Sequence, residues 1–210
     1  MRGNLSMSKV KYLFYTLTHP MDGFYEIRHR GRGSVLIAVI SVILFSFVFS
    51  INKITASFIV NDTNPRTVDS LDNLSGVLLL YLLFCVGNWS ITCLLNGEGR
   101  LKDIATVLGY SLAPITISYM IATIVSQVVA QNEEGFYSII ITIGTIWTVL
   151  LALSGIMIVH NYSLAKTLLT LILTVISMLI IVFVVMMLTD LVSQVYGFIY
   201  SIYTELLCRG

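Results

Sequence analysis

The sequence predicts an all-α fold, a polytopic membrane helical bundle of five transmembrane helices plus amphipathic N- and C-terminal helices. Three observations carry that expectation. Hydrophobic residues make up 57% of the 210-residue chain and charged residues only 11%, against about a quarter charged in an ordinary soluble domain. Mean hydropathy is +0.90, and the apolar residues fall in blocks long enough to span a bilayer, which takes about 20 residues for about 30 Å of hydrocarbon. Short polar connections separate the blocks, and each block must be helical because lipid satisfies no backbone hydrogen bond. A soluble enzyme, a secreted disulfide scaffold and a nucleic-acid-binding domain are excluded. The formal net charge of +1 gives no global field to draw in a polyanion.

Residues 1–33 form a basic amphipathic segment. Val10, Leu13, Phe14 and Leu17 share one helical face, with Lys9 and Lys11 toward the other. Pro20 breaks that helix. Asp22 is placed to cap a second short helix in which Phe24 and Ile27 point inward. Such a segment lies on an anionic membrane surface, where it either anchors the chain or docks a cytoplasmic partner. The apolar run after it, from near Ser34, is too long for the core of a cleavable signal peptide.

The five-span bundle occupies residues 34–189, with spans at about Ser34–Ile54, Leu74–Leu95, Ala105–Ala130, Phe136–Val159 and Ser163–Thr189. The short links Asn96–Asp103 and His160–Tyr162 make antiparallel hairpins. Counting alternate sides, one side collects nine basic residues: Arg2, Lys9, Lys11, Arg28, Arg30, Arg32, Arg100, Lys102 and Lys166. The other has Lys53, Arg66 and Arg209. The excess of basic residues places the N-terminus in the cytoplasm. Residues 190–210 are either a sixth span or a C-terminal helix at the interface; the second is favoured, since Tyr196, Tyr200, Tyr203 and Leu207 stripe one face and tyrosine favours the headgroup level.

Candidate chemistry is sparse. No protease signature occurs, and His19, His29 and His160 sit in three separate segments with no metal-ligand spacing. Cys85 and Cys93 lie on one helix too far apart to bridge. Gly97 and Gly99 follow no strand, so they read as a flexible turn rather than a phosphate loop. Ser163 and Lys166 have the Ser-x-x-Lys spacing of some acyl-transfer enzymes, but at a helix start they read as an N-cap and a snorkelling anchor. No catalytic, cofactor or metal residue is assigned. Within the spans, Asn88 reads as helix–helix hydrogen-bond glue.

The third span carries the clearest pattern. Ala105, Gly109 and Ala113 are spaced four apart, and beyond Pro114 so are Ser118, Ala122, Ser126 and Ala130. Small residues let helix backbones approach closely, and Pro114 is expected to kink the helix between the rows. This helix is either the centre of the bundle or an oligomer interface. The loop Gly97, Glu98, Gly99, Arg100, Lys102 and Asp103 is either an ordinary polar turn or a cytoplasmic partner loop.

The stretch NWSITCLLNGEGRLKDIATVLGYSLAPI, Asn88 to Ile115, resembles the signature region of the Yip family, five-span proteins named for interaction with Ypt/Rab GTPases. Its Gly-Tyr-Ser-Leu-x-Pro element is similar to Gly109 through Pro114. Gly97-Glu98-Gly99 and HPMDGFYEIR, His19 to Arg28, look like the bacterial-type branch. Arg30-Gly31-Arg32-Gly33-Ser34 stands where eukaryotic members carry Asp-Leu-Tyr-Gly-Pro. The resemblance therefore implies the fold and a bacterial cytoplasmic membrane, without a Rab-type GTPase partner. The function expected is a non-enzymatic membrane adaptor or accessory subunit of a larger complex. Its partners would be membrane lipids and either a membrane protein or a second copy. The alternative is a small permease or lipid-handling protein with a polar cavity near Asn88, Ser90, Tyr110 and Pro114.

Overall fold

The structure, a computed structural model, describes residues 9–61, 63–130 and 133–208. Arg2 and Arg209 lie outside them, as do the side chains of Lys9 and Val10. The described chain is all-α: α1 (Lys9–Thr18), α2 (Pro20–Arg30), α3 (Val35–Thr55), a 3-10 turn (Pro65–Thr67), α4 (Ser70–Leu94), α5 (Leu101–Ser111), α6 (Ala113–Ser126), α7 (Glu134–His160) and α8 (Leu164–Cys208). Five segments are long and apolar enough to cross a membrane: Val35–Thr55, Ser70–Leu94, Leu101–Ser126, Glu134–His160 and Leu164–Glu205. The chain is a multi-pass membrane protein.

The third span, α5 with α6, sits at the centre between α3 and α7, and α4 lies against α3 and α5. α8 packs mainly on α4, and α2 packs on α7. Leu112 is a turn between α5 and α6, so the span breaks just before Pro114, where the proline removes a donor. Small residues set the central contacts. A Cβ on Gly109 would lie 2.5 Å from Ala38 Cβ and 2.6 Å from the Ala38 carbonyl oxygen, so α3 and α5 touch backbone to backbone. On the far side of the break, Gly144 of α7 is pressed against Ser118 of α6. Asn52 of α3 donates to Thr123 Oγ1 at 2.8 Å and accepts from Tyr137 at 2.9 Å, tying α3, α6 and α7 together.

The amphipathic segment differs from its expected arrangement in two ways. α1 turns Tyr12, Leu13 and Thr16 inward and leaves Phe14 57% exposed. Its buried face is rotated because α1 packs on α2 as a hairpin, with the Tyr12 hydroxyl donating to the Gly23 carbonyl at 2.6 Å. Burial, with the Glu26 charge second, raises the Tyr12 pKa well above the ordinary phenol value. Asp22 is not the cap of α2 but lies in its first turn: the cap position is His19, and Pro20 opens the helix, where a missing N–H costs nothing. Phe24 and Ile27 do point inward, at 0% and 2% exposure.

α8 is one unbroken helix of 45 residues, about 68 Å at about 1.5 Å per residue. It runs on from Thr189 to Cys208 without a break, and the Tyr196 and Tyr200 rings stack at 6.4 Å.

Candidate functional site

One end of the bundle gathers the end of α2, the α4–α5 loop and the α7–α8 turn, and with them the Arg28, Arg100 and Lys166 that sequence counting assigned to one side; it is called the basic face below. Here Arg28 reaches from α2 to the loop, with Nη1 3.5 Å from Asp103 and Nη2 4.0 Å from Glu98. Asp103 is 4% exposed and also takes Arg100 Nε at 2.9 Å. A carboxylate this buried is held only with its cations in place, so Asp103 locks α2 to α5. Its place in the first turn of α5 adds a favourable interaction with the helix dipole. Glu98, by contrast, is 59% exposed at the rim.

The Gly-Glu-Gly loop is not a flexible turn. His160 is 1% exposed beneath it, and the Gly99 N–H donates to His160 Nδ1 at 3.2 Å. A Cβ on Gly99 would meet His160 Cε1 at 2.5 Å, and one on Gly97 would meet His160 Nδ1 at 2.6 Å and the Tyr162 hydroxyl at 2.7 Å. Both glycines are demanded by close approach to the imidazole rather than by mobility. Tyr162 closes the other side, donating to the Leu95 carbonyl at 3.1 Å and stacking on His160 at 5.4 Å. Burial raises the Tyr162 pKa, with Cys93 as a lesser cause. Lys166 lies 3.9 Å over the Tyr162 ring, a cation–π contact rather than simple snorkelling. Ser163 Oγ accepts from the Lys166 N–H at 3.5 Å, as an N-cap would. Since Nδ1 accepts a hydrogen bond, the neutral His160 ring carries its proton on Nε2.

The structure divides the residues singled out in the sequence. Gly97, Glu98, Gly99, Arg100 and Asp103 meet at the basic face beside Arg28, and Lys102 is exposed near them. Gly109 is spent on α3, while Ala105 and Ala113 pack against the core from partly buried positions. Asn88 is fully buried and donates to Thr174 of α8 at 3.0 Å. Its Oδ1, like His160 Nε2, is buried without a partner among the described residues. The latch of His160 and Tyr162 on the loop was missed. The hints were local: Asn96 just before Gly97 and Asn161 between His160 and Tyr162 both take the left-handed conformation, φ 55°, which asparagine tolerates better than most residues. Also missed was a hydroxyl seam on α8: Thr167, Thr170, Thr174 and Ser177 are all buried.

Two grooves open at the basic face between α2 and α7. The larger, about 440 Å³, is lined among others by Met21, Tyr25, Arg28, His29, Glu98 and Ile158. The other, about 390 Å³, shares Met21, Tyr25 and Ile158 with it. Among the described residues no group of three or more His, Cys, Asp and Glu side chains is placed to hold a metal ion. A family model described as the Yip1 domain matches residues 14–203 of the chain. No curated protein and no solved structure matches it.

Proposed function

The chain belongs to the Yip1 domain family, and from that premise we propose that it is a non-enzymatic membrane adaptor or accessory subunit. Its basic face lies in the cytoplasm of a bacterial cell, and its α8 extension recruits a partner helix. The observation that carries this reading is the far half of α8. From Val182 to Cys208 the helix buries no side chain among the described residues, and its described large apolar side chains, from Phe183 at 62% to Leu207 at 62%, are exposed. Yet Asp190, Gln194, Gly197, Ser201 and Thr204 recur at steps of four and three. That spacing keeps small and polar side chains on one face. The near half packs on α4 through hydroxyls at the same kind of spacing, Thr167, Thr170, Thr174 and Ser177. A second such stripe suits a second helix, because small side chains let two helix backbones approach closely.

A permease would place Asn88, Ser90, Tyr110 and Pro114 around one polar cavity. Asn88 is bonded into α8, and Tyr110 is buried with its hydroxyl accepting from the Ser34 N–H. Ser90 is on the outside, bonded to its own helix. Pro114 borders a groove whose other walls include Leu17, Ile117, Ile143 and Trp147. The adaptor reading is therefore favoured.

The test is a mild-detergent pull-down from native membranes with mass spectrometry of what accompanies the chain, for the full chain and for one ending at Asp190. A stoichiometric membrane partner lost on truncation is expected. A lone monomer in both preparations, or a partner retained equally by both, would sink the reading.

A further inference from the structure

The α2–α7 grooves combine two chemistries that few ligands combine. One wall is apolar, formed by Met21, Tyr25 and Ile158, and it continues into the adjoining groove. The other end is charged, with Arg28, His29 and Glu98. The position along the membrane normal explains the pairing. α7 has 27 residues, about 40 Å at about 1.5 Å per residue, more than about 30 Å of hydrocarbon. It ends at the polar His160-Asn161 turn beside Arg28 and Lys166 of the basic face. Ile158 and Asn161 therefore stand at the level of lipid headgroups, and α2 lies alongside them.

The charges are also ordered. Along α2 from Met21 to Arg28 the lining passes from apolar side chains to a guanidinium, and the rim carboxylate of Glu98 stands 4.0 Å from it. Arg28 is fixed in place by Asp103 and has 19% of its side chain exposed. His29 is stacked on Tyr25 at 4.2 Å, and its Nδ1–H donates to the Tyr25 carbonyl at 3.1 Å, so in the neutral ring Nε2 is an acceptor. Glu98 has a long contact of 4.0 Å to Arg28 and an exposed carboxylate. Acyl chain, phosphate and ammonium follow in the same order in a phospholipid with an amine headgroup. Asp22, already engaged within the chain, borders the apolar arm and disfavours a lipid that carries net negative charge.

We propose that this groove holds one zwitterionic aminophospholipid, its phosphate on Arg28, its ammonium on Glu98, and its first acyl carbons along Met21, Tyr25 and Ile158. The site is independent of the α8 surface and stands whether or not a protein partner binds there.

Native mass spectrometry of the full, delipidated chain tests it, with titration by phosphatidylethanolamine, phosphatidylcholine and phosphatidylglycerol. The expected result is one tightly held phosphatidylethanolamine, bound about fivefold more tightly than phosphatidylglycerol, the scale of one rim ion pair. Glu98→Gln should erase that preference without lowering the melting temperature, because the side chain is exposed. Met21→Trp, at a residue 56% exposed, should fill the apolar arm and lower retention of all three lipids. Equal binding of the three lipids by the unmodified chain would overturn the proposal. So would a preference for phosphatidylglycerol, a phosphatidylethanolamine preference that survives Glu98→Gln, or undiminished lipid retention by Met21→Trp.

Discussion

Over Leu164–Ile181, α8 turns Thr167, Thr170, Thr174 and Ser177 into the bundle, whereas over Val182–Cys208 every described side chain except Thr204 is at the surface. Both stretches carry many leucine, isoleucine, valine and methionine side chains. The near one, about 27 Å long at about 1.5 Å per residue, already takes up most of about 30 Å of hydrocarbon, and the far one adds Asp190, Gln194, Glu205 and three tyrosines. Within that thickness lipid is as good a solvent for apolar side chains as a neighbouring helix. What separates the halves is whether the small and hydroxyl face has something to meet. In the first half it meets α4, where Gly87 lets Met178 approach to within 3.1 Å of where a Cβ would stand. In the second half Gly197 has nothing within 4 Å.

The sharpest way to break this contrast is a leucine at each glycine. Gly87→Leu drives a branched side chain into the Thr174 carbonyl and the Met178 backbone, both near 3.5 Å from the Cβ position. Overpacking of this kind costs about 1–3 kcal/mol. The melting temperature of the purified protein should fall clearly for Gly87→Leu and stay level for Gly197→Leu. Equal losses would mean that the far half is also packed, and the distinction would collapse.

A smaller effect is expected at the hydrogen bond across the seam. Asn88→Ala removes the bond to Thr174 at 3.0 Å and leaves that hydroxyl its own bond to the Thr170 carbonyl at 2.7 Å. It also removes an Oδ1 that has no partner among the described residues. The net loss should be about 1 kcal/mol, within the range for interhelical bonds in membranes. Ser193→Ala, in the far half, should leave the melting curve unchanged. A loss of several kcal/mol at Asn88 would instead mark it as part of a larger buried network.

How much of this was legible in the sequence depends on what kind of contact was involved. Spans, their order and the break before Pro114 follow from hydropathy and from one missing N–H, which act locally. The inward Phe24 and Ile27 were legible for the same reason. The rotated face of α1 was not, because in that helix a hydrophobic pattern gives the apolar side but not which part of it meets protein and which meets lipid. Tyr12 and Thr16 are buried by a hairpin partner, α2, that periodicity within α1 does not reveal. The locking of Gly97 and Gly99 on His160 was hidden by sequence distance: the Gly99–His160 bond joins residues 61 apart. Two glycines flanking a charge look the same in sequence whether they serve motion or close contact. The seam of Thr167, Thr170, Thr174 and Ser177 was present as a spacing, yet hydroxyls in a long apolar run are easily passed over when the run is read only for length.

The smallest effect, and of opposite sign, belongs to Gly197→Ala. A helix-interior glycine is less favourable than alanine by about 0.5–1 kcal/mol, because it loses more backbone freedom on folding. With nothing within 4 Å of the Cβ position, alanine introduces no clash in the isolated chain, so the melting temperature should hold or rise slightly. In the pull-down the same substitution should act the other way if a partner helix lies against the face of Gln194, Gly197 and Ser201. There the added methyl pushes two backbones apart, and partner recovery should fall while the purified chain becomes no less stable. A gain in stability with unchanged recovery would move the contact to another face, with the tyrosine side of Tyr196, Tyr200 and Tyr203 the next to replace. A loss of stability in the isolated chain would show that the far half of α8 is already packed against something of its own.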